Sequence, residues 1–162
     1  QAECCVNVSV FSSGNLDRLL EATCDILIPP ARPDAITSRN ADRVDCRYIL
    51  QGANTPSNKM TEYYLQNRRN ILSMSDFIVN VGGVIGCAVE LTMNTDELYK
   101  AKVLEIGVRA YLEKLIYDTV SSNVLEIYQR LKMKRRSDSI FLEEGLILAE
   151  ERLKETKKDY WI

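Results

Sequence analysis

The chain has 162 residues, 46% apolar and 27% charged, with a formal net charge of −2. That length holds one sizeable core. The charge excludes general affinity for nucleic acid, and no apolar run is long enough to cross a bilayer. The five cysteines (Cys4, Cys5, Cys24, Cys46, Cys87) contain no Cys-x-x-Cys pair and there is no histidine, which argues against a zinc site, a disulfide scaffold and Ser-His or Cys-His catalysis.

In chain order, Gln1 opens the sequence and no basic segment precedes an apolar one. No signal peptide is expected, and the chain is expected to be a piece of something longer. Val6, Val8, Val10 and Phe11 predict a strand within residues 1–13, broken by Ser12-Ser13-Gly14-Asn15. Leu16, Leu19 and Leu20 suggest one or two helical turns. Residues 25–28 form a strand, fully apolar after Asp25 and ended by Pro29-Pro30, as in strands covered on both faces. Ile36-Thr37 resembles a staple and cap for a short helix from Ser38 to Val44. Residues 47–51 form the next strand, and Thr55-Pro56 starts a helix carrying Met60, Tyr63, Tyr64 and Leu65 to Arg69. A further strand falls within 71–79, with an interruption near Ser75-Asp76. This βαβαβ rhythm predicts a parallel sheet with right-handed crossovers.

After Gly82-Gly83 the pattern becomes helical. Val84 to Leu91 reads as a helix packed closely at its glycine start. Asn94 with Glu97 resembles a capping box opening a long helix over 95–135, with a weak spot at Ser121-Ser122-Asn123. Lys132 to Arg136 suits the negative end of that helix. Ser137-Asp138-Ser139 is expected to cap a last helix near 140–157, and Trp161 to dock on the body or on another subunit. The cysteines read as reduced, cytoplasmic thiols, several of them buried.

The chemistry concentrates where the apolar runs of 24–31, 47–54 and 76–84 end. In an open parallel sheet that end faces the ligand crevice. Gly52 and Ala53 let a flat group approach the backbone, and the Asn54 amide both donates and accepts. A simple turn explains the same residues. Asn80 with Gly82-Gly83 joins an amide to exposed helix-start N–H groups that suit a carboxamide or phosphate, although close strand–helix packing explains the glycines equally. Asp25 and Asp76 read as caps or surface charges, and Glu90 as a buried partner of a base.

Together these motifs resemble the cofactor domain of the glutamate/leucine/phenylalanine/valine dehydrogenase family. That pattern is Asp-Ile-x-x-Pro-x-Ala, then Glu-Gly-Ala-Asn-x-Pro, then Pro-Asp-x-x-x-Asn-Ala-Gly-Gly-Val. The matching residues are Asp25 to Ala31, Gly52 to Pro56, and Asp76 to Asn80 with Gly82-Gly83-Val84. Val84 to Leu91 and the tail lean toward the leucine-dehydrogenase branch. Gln51 stands for the family's Glu, Val81 for its Ala and Ser75 for its Pro, and Cys87 replaces the Ser of glutamate-specific members.

The resemblance implies NAD- or NADP-dependent oxidative deamination of an L-amino acid to a 2-oxo acid and ammonia. It implies cofactor contacts by Ala31, Gly52, Ala53, Asn54 and Asn80, and a substrate pocket lined by Val84 and Cys87. It also implies an α/β fold, the second half of a Rossmann-like parallel sheet followed by long C-terminal helices. Residues 1–91 would form that half-domain and 92–162 a helical segment packing back on it, as one structural unit. No G-x-G-x-x-G occurs, and the family's catalytic Lys and Asp have no match, so no catalytic residue is expected within the chain. The expected partners are a small amino acid or 2-oxo acid and further copies in a homo-oligomer, with no metal, nucleic acid or membrane. Two other readings remain: a non-catalytic paralogue used for binding or regulation, and a helical assembly module.

Overall fold

A computed structural model describes residues 17–134 and 139–159. The expected strand within 1–13, Cys4, Cys5, Arg135, Arg136, Ser137-Asp138 and Trp161 lie outside the described residues. The elements are α1 (Asp17–Leu20), β1 (Ile26–Leu27), β2 (Tyr48–Leu50), α2 (Lys59–Arg68), β3 (Leu72–Met74) and α3 (Asp76–Val79). The remaining helices are α4 (Gly82–Thr95), α5 (Glu97–Ile106), α6 (Val108–Met133) and α7 (Phe141–Asp159). The molecule is therefore mixed α/β, with long C-terminal helices.

The three strands are parallel in the order β1-β2-β3. Ile26 pairs with Tyr48, and Ile49 with Ser73, so the three strand ends reach one rim together. Alternation along the strands splits the core in two. On one side Leu27, Ile36, Ala41, Val44, Ile49, Leu65 and Ile71 pack together, which brings α2 and the 36–44 segment onto the sheet. On the other, Ile78, Ile127, Phe141 and Leu148 form a second cluster against Leu72 and Met74. The apolar runs at 25–28 and 47–51 are short strands that differ in cover: β2 is at least half-buried along its length, whereas β1 buries Leu27 and leaves Ile26 and Ile28 exposed.

Local chemistry moved several boundaries. Residues 38–43 form turns rather than the expected helix. There Asn40 accepts from Thr37 N (2.8 Å) and donates to Ala35 O (3.0 Å), so its side chain closes the turn itself. The Arg69 guanidinium donates to the carbonyls of Ala41, Asp42 and Val44, satisfying groups that a helix would have bonded internally. α2 starts at Lys59 rather than at Thr55-Pro56, because Asn58 accepts from Thr61 N and supplies the cap. The strand expected within 71–79 is β3, and the interruption expected near Ser75-Asp76 is where it ends, at Met74, and α3 follows. Ser75 caps α3 with φ −65° and ψ 144°, a backbone that proline also adopts, and its buried hydroxyl has no partner.

The long helix expected over 95–135 is two helices. Asp96, not Asn94, is the cap, accepting from Tyr99 N at 2.9 Å. Gly107 takes φ +90° and ends α5, a conformation L-residues rarely adopt. α6 then runs unbroken through Ser121-Ser122-Asn123. Tyr99 and Tyr111 brace α5 against α6 edge to face, with their hydroxyls 3.1 Å apart. The glycine start of α4 is not tightly packed. A Cβ on Gly82 would sit 3.7 Å from Ile116, and one on Gly83 would meet nothing. The close approach lies at Gly145, where a Cβ would come within 3.1 Å of the Phe77 ring. Two lysines of the charge run are used locally: Lys132 lies over the Tyr128 ring and Lys134 pairs with Glu144 at 2.6 Å.

Candidate functional site

Three segments leave the carboxyl ends of the strands and are stitched edge to edge. Ala53 N donates to Pro29 O at 2.9 Å, fixing the second segment on the first. Gly52 makes this possible, because a Cβ there would lie 3.2–3.3 Å from Ile28 and Pro30. The glycine thus accommodates the chain's own backbone. Ala31 follows the two prolines and is exposed. The third segment joins through Asn80, whose Nδ2 donates to Gly52 O (2.7 Å) and Asn54 Oδ1 (3.4 Å). Asn54 and Asn80 therefore share one exposed rim.

Those bonds leave a defined remainder. Among the described residues no donor reaches Asn80 Oδ1, and Asn54 Nδ2 donates to no acceptor. One acceptor and one NH2 group thus stand on the same edge, the complement of a carboxamide. Beside them α4 begins at Gly82 with no side chain capping its first N–H groups, which favour negative charge.

Beneath the rim lies a buried polar cluster. Gln51 is 1% exposed. Its Nε2 donates to Glu62 Oε1 (2.8 Å), Ser73 Oγ (2.9 Å) and Ser57 Oγ (3.3 Å). Its Oε1 accepts from Asp76 N at 3.1 Å. Asp76 Oδ2 in turn accepts from Thr55 N at 2.8 Å. Asp76 thus serves as a bracket between the second and third segments, more than the cap or surface charge its position suggested. A carboxylate at position 51 would face Glu62 at the same short distance, so the amide removes a like-charge contact. Glu62 was not singled out from sequence, where an acid in a polar helix reads as a surface residue. Burial pushes its carboxyl up to about 7, with Gln51 and Ser57 opposing and Asp76 adding to the rise.

The expected substrate residues lie apart from this rim, on α4. Val84 is 71% exposed. Cys87 is exposed and borders an open cleft of about 520 Å³ with Gly83, Gly86, Met93 and Leu112. Glu90 borders the same cleft and is exposed, so it is not the buried partner of a base. Burial raises the Cys24 thiol and pushes Cys46 up to about 11, which disfavours the reactive thiolate at both. Among the described residues no acidic or thiol cluster is built to hold a metal ion.

A sequence model described as Glutamate/Leucine/Phenylalanine/Valine dehydrogenase matches residues 6–159. The chain belongs to this family. Individual members match over shorter stretches. The glutamate dehydrogenase of Aeropyrum pernix is 38% identical over 76 residues, 47% of this chain and 18% of that protein. The NADP-specific glutamate dehydrogenase of Saccharolobus shibatae is 37% identical over 78 residues, 48% of this chain and 18% of that protein. A cryptic catabolic NAD-specific glutamate dehydrogenase of Bacillus subtilis is 30% identical over 118 residues, 73% of this chain and 26% of that protein. The chain thus spans about a fifth to a quarter of the length of the relatives it matches.

Proposed function

We propose that the chain is the second half of the nucleotide-binding domain of an amino-acid dehydrogenase. The reaction is NAD- or NADP-dependent oxidative deamination of an L-amino acid, glutamate or a branched or aromatic one, to a 2-oxo acid and ammonia. The observation that carries this reading is the Asn54–Asn80 rim, whose unused acceptor and NH2 group fit the carboxamide of a nicotinamide. When bound, a nicotinamide dinucleotide supplies a hydride acceptor for the amino-acid Cα.

The residues of this chain bind and orient. Gly52 and the buried Ala53 hold the strand-end segments together beneath the cofactor, Ala31 stands exposed on them, and Asn54 and Asn80 set the rotation of the ring through its carboxamide. Fixing that rotation selects which face meets the substrate, which is the positional part of catalysis. Val84 and Cys87 are assigned to the side-chain end of the substrate. The pyrophosphate cradle and the acid–base residues belong to the rest of the protein, so this chain by itself is inactive. Residues 1–91 form the half-domain and 92–162 its returning helices. The intact enzyme is a cytoplasmic homo-oligomer, in keeping with the free thiols at Cys24, Cys46 and Cys87.

Dehydrogenase assays of the full-length protein, over a panel of amino acids with each nucleotide, test the activity. Turnover is expected with at least one pair, and no turnover with any would overturn the reading in favour of a non-catalytic paralogue. Asn80→Ala removes the bonds to Gly52 and Asn54 and should weaken nucleotide binding by about 2–3 kcal/mol, roughly a hundredfold in Kd. An unchanged dissociation constant by fluorescence titration would remove Asn80 from the site.

A further inference from the structure

The feature that the family assignment leaves unexplained is Glu62. It is 3% exposed, it lies on the crossover helix α2, and it touches no residue of the rim directly. Its Oε1 accepts from Gln51 and Ser57, while Oε2 has no partner among the described residues. A small cavity of about 240 Å³ adjoins it, bordered also by Asp34, Thr55, Lys59, Asp76 and Leu142.

The charged groups around this cavity do not neutralise Glu62. Lys59, on the same helix, pairs at 2.6 Å with Glu143 of α7. Asp76 from α3 and Asp34 from the loop after β1 are both acidic. A carboxylate here would stand buried, with one oxygen unpaired and like charges alongside. A neutral carboxylic acid removes the charge, and its O–H can donate into the cavity. Burial, the unpaired Oε2 and the acidic neighbours thus favour the protonated group, against the two bonds into Oε1 that favour the carboxylate.

The connection to the rim runs through one amide and one carboxylate. Gln51 holds Glu62 on one side and the N–H of Asp76 on the other. Asp76 holds Thr55 N, and Asp34 N holds Thr55 O at 3.1 Å. Thr55 needs both ties: its φ is +44°, a left-handed backbone that β-branched residues rarely adopt. Thr55 directly follows Asn54. A charge at Glu62 pulls on Gln51, repels Asp76 and loosens the tie that holds Thr55 in its strained form.

We infer that Glu62 and Gln51 are positioning residues for the nucleotide rim, which is set for binding while Glu62 carries a proton and slackens when the proton leaves for solvent. This rests on the rim being the nucleotide site. Burial raises the Glu62 carboxyl to about 7, so the switch falls near neutral pH.

The test measures NADH and NADPH binding by fluorescence from about pH 6 to pH 8.5, in the wild type and in Glu62→Gln. Wild-type Kd should weaken about tenfold across that range, the effect of a one-unit difference in pKa between free and bound protein. Glu62→Gln should hold the tight form and vary less than about twofold, well under one pKa unit. A flat wild-type profile, or a variant that keeps the wild-type slope, overturns the inference. A parallel readout needs no nucleotide: NMR titration of the Glu62 carboxyl alongside the Thr55 and Asn80 amides in the wild type. Co-titration supports the coupling, and pH-independent amides overturn it. Absence of nucleotide binding at every pH, with co-titration intact, would sink the rim's proposed ligand and leave the coupling standing.

Discussion

The sheet half of the molecule and the helical half treat their side chains in opposite ways. From β1 to α3, polar groups are linked in a chain that runs from buried Glu62 through Gln51 and Asp76 to Thr55 at the surface, with Glu62 Oε2 and Ser75 Oγ left over among the described residues. From α4 to α6, large apolar side chains face outward. Leu98 is 86% exposed, Tyr117 73% and Leu91 68%. α6 buries only one residue fully, Ile127, and does so where α7 covers it. The difference teaches where the fold is self-contained. Loops at the strand ends must satisfy their own backbone, because they gain little from apolar burial. A helix satisfies its backbone internally and can leave its side chains open.

Four measurements would break or sharpen that contrast. The largest effect is expected at Phe141, which is fully buried where α7 meets α3 and α6. Phe141→Ala should cost about 3–5 kcal/mol in chemical denaturation, the usual cost of emptying an aromatic site. A loss below about 1 kcal/mol would mean that the second core cluster collapses freely.

Next comes Glu62. Its folded-state pKa of about 7 lies above the usual 4.5, so the folded protein holds a proton that the unfolded chain releases between those values. Wild-type stability should fall as pH rises from 4.5 to about 7 and level off above, by on the order of 2–3 kcal/mol. Glu62→Gln should abolish that fall and be more stable than wild type at alkaline pH by a similar margin. Equal pH slopes in urea denaturation would contradict the buried acid.

A smaller effect is expected at Arg69, where Lys in place of Arg loses the fork that reaches three carbonyls. Arg69→Lys should cost about 1–2 kcal/mol, since an ammonium cannot span the same acceptors. The smallest is Leu98→Ser, which should change thermal stability by less than about 0.5 kcal/mol. A clear destabilisation there would show that the exposed face is covered in the folded protein.

The sheet was readable in the sequence because Ile26–Leu27 and Tyr48–Leu50 stand out as unbroken apolar runs, although cover on both faces, which that pattern suggests, is missing at β1, where Ile26 is exposed. The adjacency of Asn54 and Asn80 was also readable, from their equivalent positions at strand ends. The helix boundaries were less so. Gly107 is one glycine in a periodic apolar pattern, and only its φ reveals that it ends a helix. Asp96 competed with Asn94 two residues away, and the stronger tie to Tyr99 N decided between them. Glu62 was invisible, since its meaning depends on Gln51 lying opposite after the chain has crossed over. Glu90 looked buried because its helical neighbours are apolar, but the face it shares is open.

The turn over 37–44 holds its shape through a side chain from beyond the next strand and helix. Arg69 closes the last turn of α2 and reaches back to carbonyls roughly a quarter of a hundred positions earlier. Asn40 closes the turn locally, but the turn's outward carbonyls stay unsatisfied until Arg69 arrives, so the final form of the segment belongs among the late events of folding. In pulsed hydrogen exchange during refolding, the Ala41 amide, bonded within the turn to Thr37 O, should gain its full protection only after the amides of α2 are protected.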